Sequence, residues 1–227
     1  MIIHDNFVQG STEWYAARLG IPTSSSFDKI ITPAHGHLSK SARSYCLYLA
    51  AEAILRTPLD SISHLEWVAR GKEMEPLAVR QYQFTEDAEV RAVGFITTDD
   101  GQVGCSPDRL LVGARGALEV KCPAPHTHLG YLLDGPGDAY RCQVQGQIHV
   151  AELEFVDFYS WHPAMPPVLL RVFRDDSYIA KLAHALEQFS DMRHDILERC
   201  RMAGFFEGRV AFAGPVELLL EAQEGEL

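Results

Sequence analysis

The spacing of apolar residues changes partway along the chain, and that change dictates a fold in which helices pack on a sheet. Across residues 42–56 the apolar side chains Tyr45, Leu49, Ala53 and Ile54 recur at helical spacing, which predicts one amphipathic helix stopped by Pro58. Residues 67–84 carry a second helical pattern, and Gly71 and Pro76 within it predict a kink or restart. From residue 89 the pattern becomes strand-like: 89–96, 103–106, 109–112 and 117–122 read as strands separated by Gly-containing turns. A helix over 138–152 follows, then strands over 155–162 and 168–173, then a long helix from Asp176 to about Phe206. Near the start, residues 14–19 read as a short helix or turn ending at Gly20, ahead of a hydroxyl-rich loop, Thr23-Ser24-Ser25-Ser26. This order predicts an α/β or α+β fold with a central mixed sheet flanked by helices.

The chain has 227 residues, enough for one well-buried domain and too few for two ordinary ones. We expect that domain over residues 1–206 and an acidic tail over 207–227, whose Val216 to Leu220 segment is apolar enough to dock. No apolar run approaches the roughly 18 residues of a membrane helix. The start, Met1-Ile2-Ile3-His4-Asp5, lacks the basic-then-apolar pattern of a signal peptide, so a cytoplasmic protein is expected. The five cysteines are scattered without a CxxC pair, which argues for reduced packing thiols rather than a zinc or iron–sulfur site.

The chemistry concentrates in the strand cluster. Ser106-Pro107-Asp108 precedes a strand and a turn, Gly113-Ala114-Arg115-Gly116, and Glu119-Val120-Lys121 follows. A hairpin through that turn brings Asp108 close to Glu119. Glu119 and Lys121 lie two apart on one strand and so share a face, whereas Leu118, Val120 and Cys122 point into the core. Two carboxylates and an ammonium beside a core are costly unless something pairs them. A divalent cation is the economical partner: Mg²⁺ takes hard oxygens, typically one or two carboxylates with water and phosphate oxygen, and the Val120 carbonyl could add another. Lys121 would then orient or activate the water. The same spacing also suits a salt-bridged surface hairpin.

Pro107-Asp108 with Glu119-Val120-Lys121 resembles the PD-(D/E)xK nuclease signature. More of the chain is similar to a narrower group, the phage lambda-type alkaline exonucleases of viral recombination. Trp14-x-x-x-Arg18-Leu19-Gly20-x-x-Thr23-x-Ser25, Gly71-Lys72-x-x-Glu75, Gly104-Cys105-Ser106-Pro107-Asp108, Leu118-Glu119-Val120-Lys121-Cys122-Pro123 and Gln143-Val144-Gln145 follow in that family's order.

This resemblance implies a restriction-endonuclease-like core. It also implies a processive 5′→3′ exonuclease on linear double-stranded DNA that releases mononucleotides and leaves 3′ overhangs. Asp108, Glu119 and the Val120 carbonyl would hold Mg²⁺, for which Mn²⁺ would substitute. Glu75 would be a further acidic ligand at a second ion or its water shell, unless it simply pairs with Lys72. Lys121 would be catalytic. Gln143 and Gln145 lie about 200° apart on a helix, so one of them faces the metal, and Gln145 is expected to be that one. Arg18, Ser25 and Ser106 would bind the 5′-phosphate. Trp67 and Val68 would form a wedge at the last base pair.

The net charge of −11, with 20 Lys and Arg against 31 Asp and Glu, predicts weak open electrostatic binding to DNA. The resemblance answers this with a homotrimeric ring threaded by the substrate, and with a single-strand annealing protein as partner. A DNA endonuclease of the same superfamily and a non-catalytic docking protein remain as alternatives.

Overall fold

The computed structural model describes residues 1–59 and 66–207, with the side chains of 66–69 and 207 excepted. The elements run β1 (Ile2–His4), α1 (Thr12–Arg18), a 3₁₀ turn (Ser24–Lys29), α2 (Ala42–Leu55), α3 (Glu66–Glu86), β2 (Val90–Arg91) and β3 (Phe95–Thr97). After these come β4 (Gly104–Cys105), β5 (Arg109–Leu111), β6 (Gly116–Lys121), α4 (Pro125–Asp134), α5 (Arg141–Val150), β7 (Phe155–His162), β8 (Met165–Phe173) and α6 (Asp176–Met202). Five strands form a mixed sheet in the order β2-β5-β6-β7-β8. The β6–β7 pair is parallel and the others antiparallel. A small antiparallel sheet, β1-β3-β4, stands beside it. This is the α/β architecture with a central mixed sheet that the sequence predicts.

The sheet has a core on each face. On one side α3 lays Ala78, Val79 and Tyr82 against Leu118, Val120 and Tyr159. On the other, α2, α5, α6 and the 3₁₀ turn bury Phe27, Leu49, Ile148, Leu182 and Phe189 together with Ala117 and Val156 of the sheet. In α6 the buried residues Tyr178, Ile179, Leu182, Ala185, Leu186, Phe189, Arg193 and Ile196 trace one helical stripe. Helix α2 ends at Arg56, which turns left-handed at φ 54°, two residues before Pro58.

Several expectations are corrected. Residues 67–84 do not restart at Gly71 or Pro76; they belong to one helix, Glu66–Glu86, with Pro76 inside it. The expected strand over 89–96 is two short strands in different sheets, β2 beside β5 and β3 beside β1 and β4. The chain crosses between sheets at Gly94, where a Cβ would stand 2.6 Å from the carbonyl oxygens of His4 and Phe7. The hydroxyl-rich loop is mostly a 3₁₀ turn. Two further elements, β1 and α4, were not expected. Pro125 sits in the first turn of α4, where its missing N–H costs nothing. The acidic tail from residue 208 lies outside the described residues.

Candidate active site

Strands β5 and β6 pair with Arg109 opposite Leu118 and Leu110 opposite Ala117. One step further along that antiparallel register, Asp108 faces Glu119. The Asp108 side chain is tied to β6 by the Val120 N–H, which donates to its Oδ2 at 2.6 Å. Because side chains alternate along β6, Leu118 and Val120 enter the core under α3 while Glu119 and Lys121 emerge on the opposite face. Lys121 Nζ donates to Glu119 Oε1 at 2.6 Å, and the ammonium lies 5.1 Å from the Tyr140 ring centre. Glu119 is only 3% exposed, so this carboxylate is held in the interior.

Helix α5 supplies the rest of its shell. Gln143 Nε2 donates to Glu119 Oε1 at 2.6 Å and Gln147 Nε2 to Oε2 at 2.5 Å. Residues four apart on a helix share a face, which explains why these two act together. Gln145 is a correction, because it faces the other way. Its Nε2 donates to the Phe173 carbonyl at 2.8 Å and its Oε1 accepts from the Asp175 N–H at 3.0 Å, joining the end of β8 to the start of α6. The 200° separation correctly allowed one of the pair, and the one facing Glu119 is Gln143. Gln147 was missed, although its i+4 spacing from Gln143 was a signal for it.

Glu75 is near but engaged elsewhere: Arg109 Nη1 reaches its Oε1 at 3.0 Å. Arg109 also donates to the Asp108 carbonyl at 2.5 Å. Burial pushes the Asp108 carboxyl well above its usual range, and the negative charges of Glu119 and Glu75 push it further. Burial alone would lower the Lys121 ammonium, but Glu119 and Asp108 outweigh it, and the net shift is upward. The protein's own groups therefore leave acid charge in excess over base at this point. Two hard carboxylates with unspent charge fit a divalent cation such as Mg²⁺. Among the described residues no group of three His, Cys, Asp or Glu side chains converges, so Glu75 does not complete a cage with Asp108 and Glu119.

A second cluster of polar side chains centres on Arg18. Helix α1 is capped by Ser11, whose hydroxyl accepts from the Trp14 N–H at 3.2 Å. Arg18, in its last turn, lies 4.0 Å over the Trp14 ring. Arg18 donates to Ser106 Oγ at 3.0 Å and to Thr23 Oγ1 at 3.1 Å, and Thr23 Oγ1 is 3.3 Å from Ser25 Oγ. Trp14 Nε1 also donates to Ser106 Oγ, at 3.1 Å. Its direct partners are thus hydroxyls and rings, and burial lowers the guanidinium to about 10. Arg18, Ser25 and Ser106 come together here, and Thr23 is a further member that the sequence reading did not assign. The cavity, about 430 Å³, is also lined by Lys29, Tyr45 and Lys72. Ser106 stands two residues before Asp108, so one short segment carries both the hydroxyl and the carboxylate. Trp67 and Val68 fall in the first turn of α3, and their side chains lie outside the described residues.

The sequence profile of the YqaJ-like viral recombinase domain matches residues 13–154, from α1 to the end of the segment that follows α5. The chain belongs to this family. Arg18, Thr23, Ser25, Glu75, Ser106, Asp108, Glu119, Lys121, Gln143 and Gln147 all lie inside the matched span, and the membership makes the chain a nuclease that hydrolyses DNA. The expected kinship with the lambda-type alkaline exonucleases and the nuclease fold agree with it. Among solved structures the chain is similar to an alkaline exonuclease, LHK-Exo, from Laribacter hongkongensis. The TM-score is 0.76 at 28% identity, over 86% of this chain and 98% of that one. The same enzyme in complex with dAMP gives 0.75 at 29% identity, again over 86% and 98%. A phage related exonuclease from Haemophilus somnus 129PT shares the fold, with a TM-score of 0.63 at 14% identity over 79% of this chain and 96% of that one. No curated protein matches the chain. Among the described residues no helix is long and apolar enough to cross a membrane.

Proposed function

We propose that this YqaJ-like nuclease is a divalent-metal-dependent 5′→3′ exonuclease that degrades linear double-stranded DNA from 5′-phosphorylated ends. It releases mononucleotides and leaves 3′ single-stranded overhangs for strand annealing in phage-type recombination. The observation that carries this reading is the two-residue step from Ser106 in the Arg18 pocket to Asp108 in the acid pair. An anion held by Arg18, Thr23, Ser25 and Ser106 would lie next to the hydrolytic residues, as an end-directed enzyme requires. A guanidinium fork and hydroxyls suit a terminal phosphate, which offers several acceptor oxygens.

Asp108, Glu119 and the Val120 carbonyl are the groups that would hold Mg²⁺ or Mn²⁺, with Glu75 at a second position once it leaves Arg109. When bound, such ions supply Lewis-acid stabilisation of phosphoryl charge and of the attacking and leaving oxygens. The chain's own residues do the positioning. Gln143 and Gln147 fix Glu119. Lys121, held as an ammonium, orients the attacking water through hydrogen bonds from Nζ rather than taking its proton. Arg18 and the hydroxyls fix the terminal phosphate and thereby choose the next bond. The LHK-Exo complex with dAMP, a mononucleotide, is in keeping with release of single nucleotides.

The deciding experiment digests linear and circular duplex DNA, with and without Mg²⁺, using 5′-phosphate or 5′-hydroxyl ends. Linear, phosphorylated substrate should be consumed only with the metal, while circles stay intact. Cleavage of circles would favour the endonuclease alternative. We also place the protein in the host cytoplasm as a homotrimeric ring that hands its product to a single-strand annealing protein.

A further inference from the structure

Glu119 is buried and receives three donors, but they are not shared evenly. Oε1 accepts from both Lys121 and Gln143, whereas Oε2 accepts from Gln147 alone. A carboxylate oxygen has two lone pairs, so the open acceptor position is on Oε2. Gln147 is itself 0% exposed, and its Oε1 is buried with no hydrogen-bond partner among the described residues. Such an orphan is uncommon in a folded interior and needs a reason. Turning the amide over would set Oε1 against Glu119 Oε2, acceptor against acceptor. The amide therefore stays with its donor on the carboxylate and leaves its own oxygen unsatisfied. An apolar side chain here would avoid the orphaned oxygen but would strip the buried Glu119 Oε2 of its one donor, so the amide is kept for its hold on that carboxylate.

We infer that Gln147 is a positioning residue which presents Glu119 Oε2 to the divalent cation and so sets metal affinity. This rests on the reading of Asp108 and Glu119 as metal ligands. Gln147 touches neither substrate nor ion; it acts through Glu119. Loss of an outer partner of this kind lowers metal affinity by about 10–100-fold.

The test titrates Mn²⁺ into the full-length protein and reads bound ion by the loss of the free-ion electron paramagnetic resonance signal. Gln147→Met removes the donor at near-equal volume, and Gln147→Leu serves if that variant does not fold. Expected is a fall in Mn²⁺ affinity of about 10–100-fold, matched by a rise in the metal concentration for half-maximal digestion, with kcat at saturating metal little changed. Gln145→Met, on the opposite face of α5, should lower the melting temperature and leave Mn²⁺ affinity as it was. Wild-type affinity in Gln147→Met, a lower kcat with unchanged affinity, or loss of fold in both Gln147 variants would each overturn the inference. Glu119→Gln separates the levels. If wild type binds no Mn²⁺, or Glu119→Gln binds it as tightly as wild type, the metal-site reading fails and takes this inference with it.

Discussion

Lys121 and Arg18 are both partly buried cations, but their surroundings give them different work. Lys121 is bound to a carboxylate at 2.6 Å, and its shift is upward. Arg18 is held by hydroxyls and rings, and its shift is downward. The first is committed to an internal acid; the second, on the proposed reading, keeps its charge for an external anion. Lys121→Ala should therefore cut Mg²⁺-dependent digestion by about 10²–10⁴-fold, the usual range for a positioned proton-transfer or water-orienting group. Its circular dichroism spectrum should be that of the wild type. Arg18→Ala should act selectively on phosphorylated ends. Loss of a charge-assisted hydrogen bond of about 1.5–3 kcal/mol corresponds to roughly a 10–150-fold higher KM on those ends. Hydroxyl ends should change little, as steady-state digestion of the two substrates will show. At this scale the sequence was informative where backbone alternation decides: Glu119 and Lys121 had to share a face. It did not settle Gln143 against Gln145, because the rotation of α5 about its axis is set by what the helix packs on, not by its own spacing.

That rotation has a visible cause at the level of elements. Gly146 lets α5 press against the 3₁₀ turn: a Cβ there would stand 2.5 Å from Phe27 Cδ2 and 3.1 Å from Ser24 Cβ. Gly146→Ala should cost about 1–3 kcal/mol as an overpacked contact. It should also slow digestion, because α5 carries both Gln143 and Gln147. A lower urea midpoint at unchanged m, measured beside the digestion rate, checks this.

Helix α6 offers a test of its cap. Asp175 accepts from the Tyr178 N–H and from Ser177, and it pairs with Arg141; these bonds pull its carboxyl down to about 2. A depressed carboxylate stabilises the fold above its unfolded pKa, and that contribution is lost as the pH falls toward the folded value. Asp175→Ala should thus cost about 0.5–2 kcal/mol at neutral pH. The gap from wild type should narrow between about pH 4 and pH 2, as melts across that range will show. The long periodic helices and the β7–β8 pair were legible from sequence. The split of residues 89–96 was not, since a change of sheet at Gly94 leaves the strand-like composition of both halves intact. Helix α4 was not legible, although Pro125 at its first turn is a helix-start signal.

For the molecule as a whole the governing quantity is its net charge of −11. Each phosphate neutralised by a Lys or Arg contributes a slope of about −0.9 to the dependence of log K on log salt. A protein this acidic has few such contacts to spend, so a processive enzyme must retain its substrate by enclosure. If the proposed homotrimeric ring provides that enclosure, sedimentation equilibrium should report three times the mass of the 25.3 kDa chain. Raising salt should reduce how often ends are captured far more than it shortens each digestive run. The family assignment was legible because its motifs are local and ordered; assembly was not, because no short motif encodes a ring.

Ser106 and Asp108 sit two residues apart on a single stretch of backbone braced between two sheets. On the proposed reading that stretch is a ruler: one end would read where the strand begins and the other would decide where it is severed. Shortening or lengthening it by a residue should alter the size of the fragment set free, not merely the pace at which fragments appear.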